Sequence, residues 1–399
     1  MKRLGNADIV VIGGGAVGTA VACYLAMDGA DTALVERGEF AWGSSRRCDG
    51  HAVTYDSPPG YFSRFCKLGL DMFPQIIPHL DCDIEFEPEG IGLLVDDEKD
   101  METVAQTFEG KQKEGVKVSL WDQAELRHHE PHVADRVVGC LNFEGDAKLN
   151  PMRLCFGLAH LAAKHNTRLY TRTHVTNILL TNGAVSGVET DKGVIATNQI
   201  VLCGGVWTPE LAHAVGVHVP IRPRQGHVLV TERVSGLIGK NYAEYGYLAA
   251  KGGAARPGVT PAMEQFGVAM VLEPSHAGTI LMGSSRRYVG MDTNPNPAVM
   301  KAQAARTLHF FPAFSQAKII RAYAGLRPAS PDGKPIISPS HVKGVFIASG
   351  HEGNGIGLSL VTGKIVSQLL QGQTPLMDVE PLHLDRFALN PPALALQKA

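Results

Sequence analysis

Apolar positions along the chain fall into short β-branched blocks and helical stripes, punctuated by glycine-rich turns. Residues 7–12 are apolar except for Asp8, the pattern of a strand buried on both faces. The run enters Gly13-Gly14-Gly15, and the small residues over 16–26 then read as a helix. A second strand is predicted over 32–35, ending at Glu36. Phe62, Phe65, Leu68, Met72 and Phe73 mark a helix over 61–77, and 84–95 alternates like strands around Gly90 and Gly92. Residues 149–165 have helical periodicity, with Asn150 as cap and Pro151 in the first turn. Strand patterns over 169–190 flank an Asn182-Gly183 turn. Further strands are expected over 200–203, 227–231, 268–272 and 279–282, and a helix over 301–311. The glycine-rich stretch 248–267 reads as an inserted loop. Residues 344–349 form a last buried-strand pattern, which runs into a glycine-rich segment over 350–357 and a helix over 358–370.

The first junction has the parts of a nucleotide site in the required order. Gly13-x-Gly15-x-x-Gly18 follows a strand and opens a helix, and Glu36 ends the next strand. Gly13 permits the tight turn, Gly15 lets the backbone approach a pyrophosphate, and Gly18 lets the helix pack on the strand. The helix amino terminus offers free N–H groups and partial positive charge, and Glu36 is an acceptor for ribose hydroxyls. This motif alone does not separate NAD from FAD.

Composition narrows the field. At 399 residues the chain is expected to hold two or three domains. Hydrophobic residues at 44% and charged residues at 19% argue against wholesale disorder. A formal charge of −2, with no basic run longer than a pair such as Arg286–Arg287, excludes a nucleic-acid surface. The seven cysteines are scattered without a C-x-x-C pair, so no thiolate cage for zinc or an iron–sulfur cluster is expected. Reduced thiols and a cytoplasmic location are the simplest reading. The uncharged run over 9–27 imitates a signal peptide, yet Gly13, Gly14, Gly15 and Gly18 interrupt it, so no transmembrane segment is expected. His128, His129, Glu130 and His132 are set aside as metal ligands, because adjacent histidines on a helix cannot both face one ion and Pro131 breaks the spacing. Gly350-His351-Glu352-Gly353 lacks a serine elbow, so hydrolase chemistry is unsupported.

Six ordered segments resemble the FAD-dependent D-amino acid oxidase superfamily, which includes glycine oxidase and sarcosine oxidase. They are residues 8–18, Glu36-Arg37-Gly38, VLCGGVWTPEL at 201–211, RPRQGHVLVTE at 222–232, AGLRPASPDGKPII at 324–337, and residues 344–363. The resemblance implies an α/β fold: a Rossmann-like FAD-binding domain, discontinuous over 1–83, 145–215 and 320–385, and an antiparallel-sheet substrate domain over 84–144 and 216–319. Residues 386–399 would be a tail. It places Gly13, Gly15, Ala16, Val17 and Gly18 at the pyrophosphate and Glu36 at the adenosine ribose, with Arg37 beside it. Ser44 and Ser45 would belong to a loop wrapping the cofactor, and Val175 would contact adenine through its backbone. Gly204 would lie in a further cofactor segment. Gly353, Asn354, Gly355 and Ile356 would meet the pyrimidine edge of the isoalloxazine.

Arg327 matches the arginine that pairs with the substrate carboxylate in glycine-oxidase-like members. A guanidinium suits a bidentate grip on a carboxylate, although a plain surface arginine also fits the local pattern. Gly325 stands where sarcosine oxidases carry the flavin-linking cysteine, which predicts a non-covalent FAD. His51 falls where a residue sits over the flavin face; it would shape the pocket, accept a proton, or be a solvated loop histidine.

The chemistry implied is oxidation of the C–N bond of a carboxylated amine to an imine. The amine would be an amino acid, an imino acid such as proline or hydroxyproline, or an opine. Within the superfamily the chain is most similar to the β subunits of bacterial multi-subunit dehydrogenases for such substrates. That implies partner subunits carrying electron-transfer centres, and a location peripheral to the inner membrane through them. Two alternatives stay open: a self-sufficient, oxygen-using amine oxidase, and a non-catalytic flavoprotein assembly subunit.

Overall fold

The computed structural model of the protein describes residues 2–234, 236–246 and 256–389. A six-stranded sheet runs in the order Ile336–Pro339, Val345–Ser349, Gln199–Leu202, Ile9–Ile12, Thr32–Val35, Arg168–Tyr170, all parallel except for the antiparallel edge strand Ile336–Pro339. Strands Val345–Ser349, Ile9–Ile12 and Thr32–Val35 are buried at every position, and Gln199–Leu202 at all but Gln199, as expected where both faces are covered. Three helices, Ala16–Met27, Pro151–Lys164 and Ser359–Leu370, pack on one face. On the other face lies a four-stranded sheet of Arg3–Asn6, Gly193–Ala196, Ala184–Thr190 and Val175–Thr181.

Local chemistry explains these elements. The Asn150 side chain accepts from the Met152 and Arg153 N–H groups, and Pro151 fills the first helical position, where no N–H is needed. Asn182 and Gly183 both adopt positive φ, 53° and 77°, the hairpin turn that matches strand twist. The uncharged run over 9–27 is the Ile9–Ile12 strand and the Ala16–Met27 helix of this core. No helix among the described residues is long and apolar enough to cross a membrane.

A second sheet of eight strands is built from Ile319–Ala329, Arg222–Thr231, Ile280–Gly283, Val271–Pro274, Asn241–Glu244, Ile91–Val95, Gly139–Phe143 and Val118–Asp122. Every pairing is antiparallel except that between Asn241–Glu244 and Ile91–Val95. The two longest strands, Arg222–Thr231 and Ile319–Ala329, pair along nearly their whole length, placing Arg224 opposite Arg327 and Gly226 opposite Gly325.

Several boundaries differ from the sequence pattern. The helix expected over 61–77 divides into Tyr61–Asp71 and Phe73–Ile76, with Pro74 in the first turn of the second piece. Of the strands expected over 84–95, only Ile91–Val95 forms. The stretch 248–267 lies outside the described residues up to 255, and the remainder is not all loop: Thr260 caps a short helix, Pro261–Gln265, whose Met263 is buried.

Candidate active site

A cavity of about 610 Å³ opens at the carboxyl ends of the parallel strands and extends to the eight-stranded sheet. At its dinucleotide end the wall includes Gly13, Gly15, Ala16, Val17, Glu36, Arg37, Ser44, Ser45 and Val175. Gly13 turns at φ 119°, and a Cβ there would stand 2.5 Å from the Cys203 carbonyl oxygen. Gly18 does not line the cavity. A Cβ on it would overlap the Gly13 carbonyl, so its role is close helix–strand packing. At Gly15 a Cβ would meet only Ser45 Oγ, at 3.2 Å; the space beyond is the cavity.

Glu36 is held by the turn it faces. Its Oε2 accepts from the Gly14 N–H at 2.7 Å and its Oε1 from the Gly38 N–H at 2.8 Å. A carboxylate has about four acceptor positions, so both oxygens retain capacity for a diol. Ser45 Oγ accepts from the Ala16 N–H at 3.1 Å, tying the 44–46 loop to the helix terminus. Arg37 stacks on Trp207, its guanidinium carbon 3.9 Å from the ring centre, and both line the wall. A cavity running from a helix amino terminus to the eight-stranded sheet, a carboxylate with remaining acceptor capacity and a glycine cradle that a side chain would fill together fit an FAD.

Gly204 lines the cavity beside the Gly13 turn, and at the far end Gly353, Gly355, Ile356 and Arg327 line it. Asn354 does not; its backbone completes the turn, donating to the His351 carbonyl and accepting from the Leu358 N–H. Arg327 lies in a slot between two glycines. A Cβ on Gly226 would overlap its Nη1, and one on Gly353 would stand 3.9 Å from its Cδ and Nε. Nη1 donates to the Ser285 carbonyl at 3.0 Å and Nη2 to Ser284 Oγ at 2.9 Å. Nε stands 3.9 Å from Glu352 Oε1.

Glu352 was not singled out by sequence, and it organises the charge here. Burial opposes its ionisation, but Arg224, Arg327 and Arg286 outweigh burial and hold the carboxyl at about 2. Arg224 is its direct ion-pair partner. Glu352 thus engages Arg224 directly, while Arg327, 3.9 Å from it, keeps N–H groups available for a further carboxylate in the cavity.

His51 is buried and is not among the residues lining the cavity. Its Nε2 stands 3.1 Å from Glu273 Oε2, and the adjacent Gly50 N–H donates to the same oxygen. The loop instead presents Cys48 and Asp49 to the wall. Nothing local in sequence announces Glu273, which arrives on the Val271–Pro274 strand. Of the residues weighed for metal, His129 stacks on Trp121 with ring centres 4.4 Å apart, and Glu130 accepts from the Gly239 N–H. Among the described residues no group of three or more potential ligands is placed to hold an ion.

These groups set the pH dependence of stability. Glu352, at about 2, ionises more readily in the native state than its ordinary value near 4.3 allows, so its contribution is present above that value and fades as pH falls toward 2. Burial pushes His351 down to about 3; burial, with Arg287 and Arg327, pushes His227 down to about 4. The unfolded chain therefore takes up their protons first, below about 6.5, and stability falls with pH from there. Glu273 acts in the opposite sense: burial, opposed by His51 and reinforced by Asp49, lifts it to about 7, and its contribution is lost as pH rises through that value. Asp146, lifted by burial to about 6, acts in the same sense as Glu273, so urea unfolding is expected to show a broad plateau up to about pH 7 and a fall on its acid side. Glu352→Gln should lower stability at pH 7 and flatten the limb below about pH 4.5, whereas a wild-type midpoint that does not fall between about pH 4.5 and 2.5 would contradict this assignment.

Residues 8–369 match the family profile described as FAD dependent oxidoreductase (DAO). The chain is 29% identical over 359 residues to "Hydrogen cyanide synthase subunit HcnC" of Pseudomonas protegens, covering 87% of this chain and 80% of that one. It is 26% identical to "Glycine oxidase" of Pseudomonas putida over 94% of this chain and 97% of that one. Among solved structures, "L-proline dehydrogenase from P.horikoshii" superposes with a TM-score of 0.85 at 23% identity, covering 96% of this chain and 98% of that one.

Proposed function

Because the chain belongs to the DAO family of FAD dependent oxidoreductases, its profile matching residues 8–369, we propose that it oxidises the C–N bond of a small carboxylated amine to an imine. The observation that carries this reading is Arg327, clamped by Ser284 and Ser285 in a glycine slot on the cavity wall. Gly13, Gly15, Ala16, Val17, Glu36, Arg37, Ser44, Ser45, Val175 and Gly204 would hold the dinucleotide part of FAD, with Gly353, Gly355 and Ile356 at its other end. When bound, the flavin supplies the two-electron acceptor. The protein's task is to grip the carboxylate through Arg327, orient the carbon next to nitrogen, and exclude water. A non-covalent flavin accords with Gly325, where a Cβ would stand 2.7 Å from the Arg47 carbonyl oxygen and leave no room for a linking side chain.

The same reading extends to a multi-subunit dehydrogenase, since one relative is itself named a synthase subunit. In that setting partner subunits would take the electrons onward. The test is anaerobic mixing of the flavoprotein with secondary and primary amino acids, imino acids and opines while flavin absorbance is followed. At least one carboxylated amine should bleach the flavin; bleaching by none of them would overturn the proposal. Admitting oxygen then separates the two modes, because an oxidase forms peroxide in step with turnover and a dehydrogenase does not.

A further inference from the structure

We infer that His227 is a positioning residue for Arg327, fixing through Ser285 the plane in which the guanidinium meets a carboxylate. The inference rests on the reading of Arg327 as the carboxylate anchor.

The chain of contacts begins at a backbone group that can only donate. The Asn296 N–H points at His227 Nε2 at 3.0 Å, so Nε2 is the acceptor and the ring proton sits on Nδ1. Nδ1 lies 3.0 Å from Ser285 Oγ and donates to it. The His227 backbone N–H reaches the same oxygen, also at 3.0 Å, and Gln303 Nε2 donates to the His227 carbonyl at 3.0 Å. Ser285 is fully buried and held at its side chain by one residue. Its carbonyl is the acceptor for Arg327 Nη1. With Ser284 Oγ on Nη2, both terminal nitrogens are pinned, and each keeps a second N–H for a ligand.

The strand Arg222–Thr231 therefore does two things at consecutive positions. Gly226 leaves the slot that the guanidinium occupies, and His227 locks the residue against which it rests. The imidazole is buried, and the charged groups acting on it are Arg287, Arg327 and Asp292; burial and the two arginines keep it neutral, with its pKa near 4. It thus stays a fixed donor in the physiological range. A histidine that merely filled the core would be satisfied by any polar neighbour. Here the polar chain ends on a carbonyl that contacts the anchor itself.

The test uses the flavin-loaded protein and a non-reactive probe, acetate, with acetamide as its uncharged control, binding being read from the perturbed flavin spectrum. His227→Phe should weaken acetate about tenfold, the worth of one hydrogen bond involving a charged group, and leave acetamide unchanged. In an Arg327→Leu background the same substitution should have no further effect on acetate. His227→Asn, whose amide nitrogen replaces Nδ1–H, should restore affinity, whereas His227→Gln, which reaches the Asn296 end instead, should not. An equal loss from His227→Phe in both backgrounds, or no loss in either, overturns the inference. Should His227→Phe fail to retain flavin, the Asn and Gln variants decide: equal affinities would overturn it. Failure of the underlying reading shows separately, as acetate binding that is the same in wild type and Arg327→Leu.

Discussion

Gly18→Val is expected to give a protein with little bound flavin and a Tm lowered on the order of 5 °C or more. A Cβ at this position would overlap the Gly13 carbonyl oxygen, and it would stand 3.1 Å from the Cys203 Cβ. The first of these is backbone, in the turn that the site depends on, so the helix Ala16–Met27 would have to lift from its strand. Overpacking typically costs about 1–3 kcal/mol, and a rigid backbone neighbour puts this site at or above the upper end. Gly15→Ala separates cofactor binding from folding. Gly15 has φ −80° and ψ −176°, a conformation alanine adopts freely, and its Cβ would meet only Ser45 Oγ. That variant should keep its apo Tm within a few degrees while its flavin affinity falls roughly 10- to 100-fold. Flavin-to-protein absorbance ratios and thermal unfolding read both effects. Wild-type flavin retention in Gly15→Ala would mean that the pyrophosphate does not lie against that turn.

What the sequence disclosed, and what it did not, follows from the range of the interactions. The two glycine-rich strand-to-helix junctions are local: strand, turn, helix and terminal acid lie within a few dozen residues, and the structure brings Gly13, Gly15 and Glu36 to one wall with Gly353 and Gly355 on the same cavity. Arg327 was legible because the segment around it is a recognisable string. Its surroundings were not. Arg224 faces Arg327 only through the register of two antiparallel strands, and Glu352 joins them from the far junction. His227 resembled one more position in an apolar strand until its partners Ser285 and Asn296 arrived from elsewhere. His51 was read from its own loop, but Glu273 on another strand accounts for its burial away from the cavity wall. Where a side chain's role is decided by a residue distant in sequence, no spacing rule announces it.

Arg327→Leu should lower kcat/KM for carboxylated amines by about 10²- to 10³-fold, while the corresponding amine without the carboxylate is oxidised much as before. Two hydrogen bonds from a guanidinium to a carboxylate are together worth roughly 3–4 kcal/mol, which converts to that range. The variant should still fold, because Glu352 retains Arg224 as its ion-pair partner and Arg286 in its field. Flavin content checks that point before kinetics are compared. Arg327→Lys keeps the charge but offers a single ammonium, which cannot hold Ser284 and Ser285 while presenting two parallel donors, so recovery should be partial. The division between constants tells what the grip does. A rise in KM with unchanged kcat means the carboxylate is held equally in ground and transition states; a matching fall in kcat means the grip also aligns the carbon that loses hydrogen. An equal loss for substrates with and without the carboxylate would remove Arg327 from substrate recognition and reduce it to a support for Glu352.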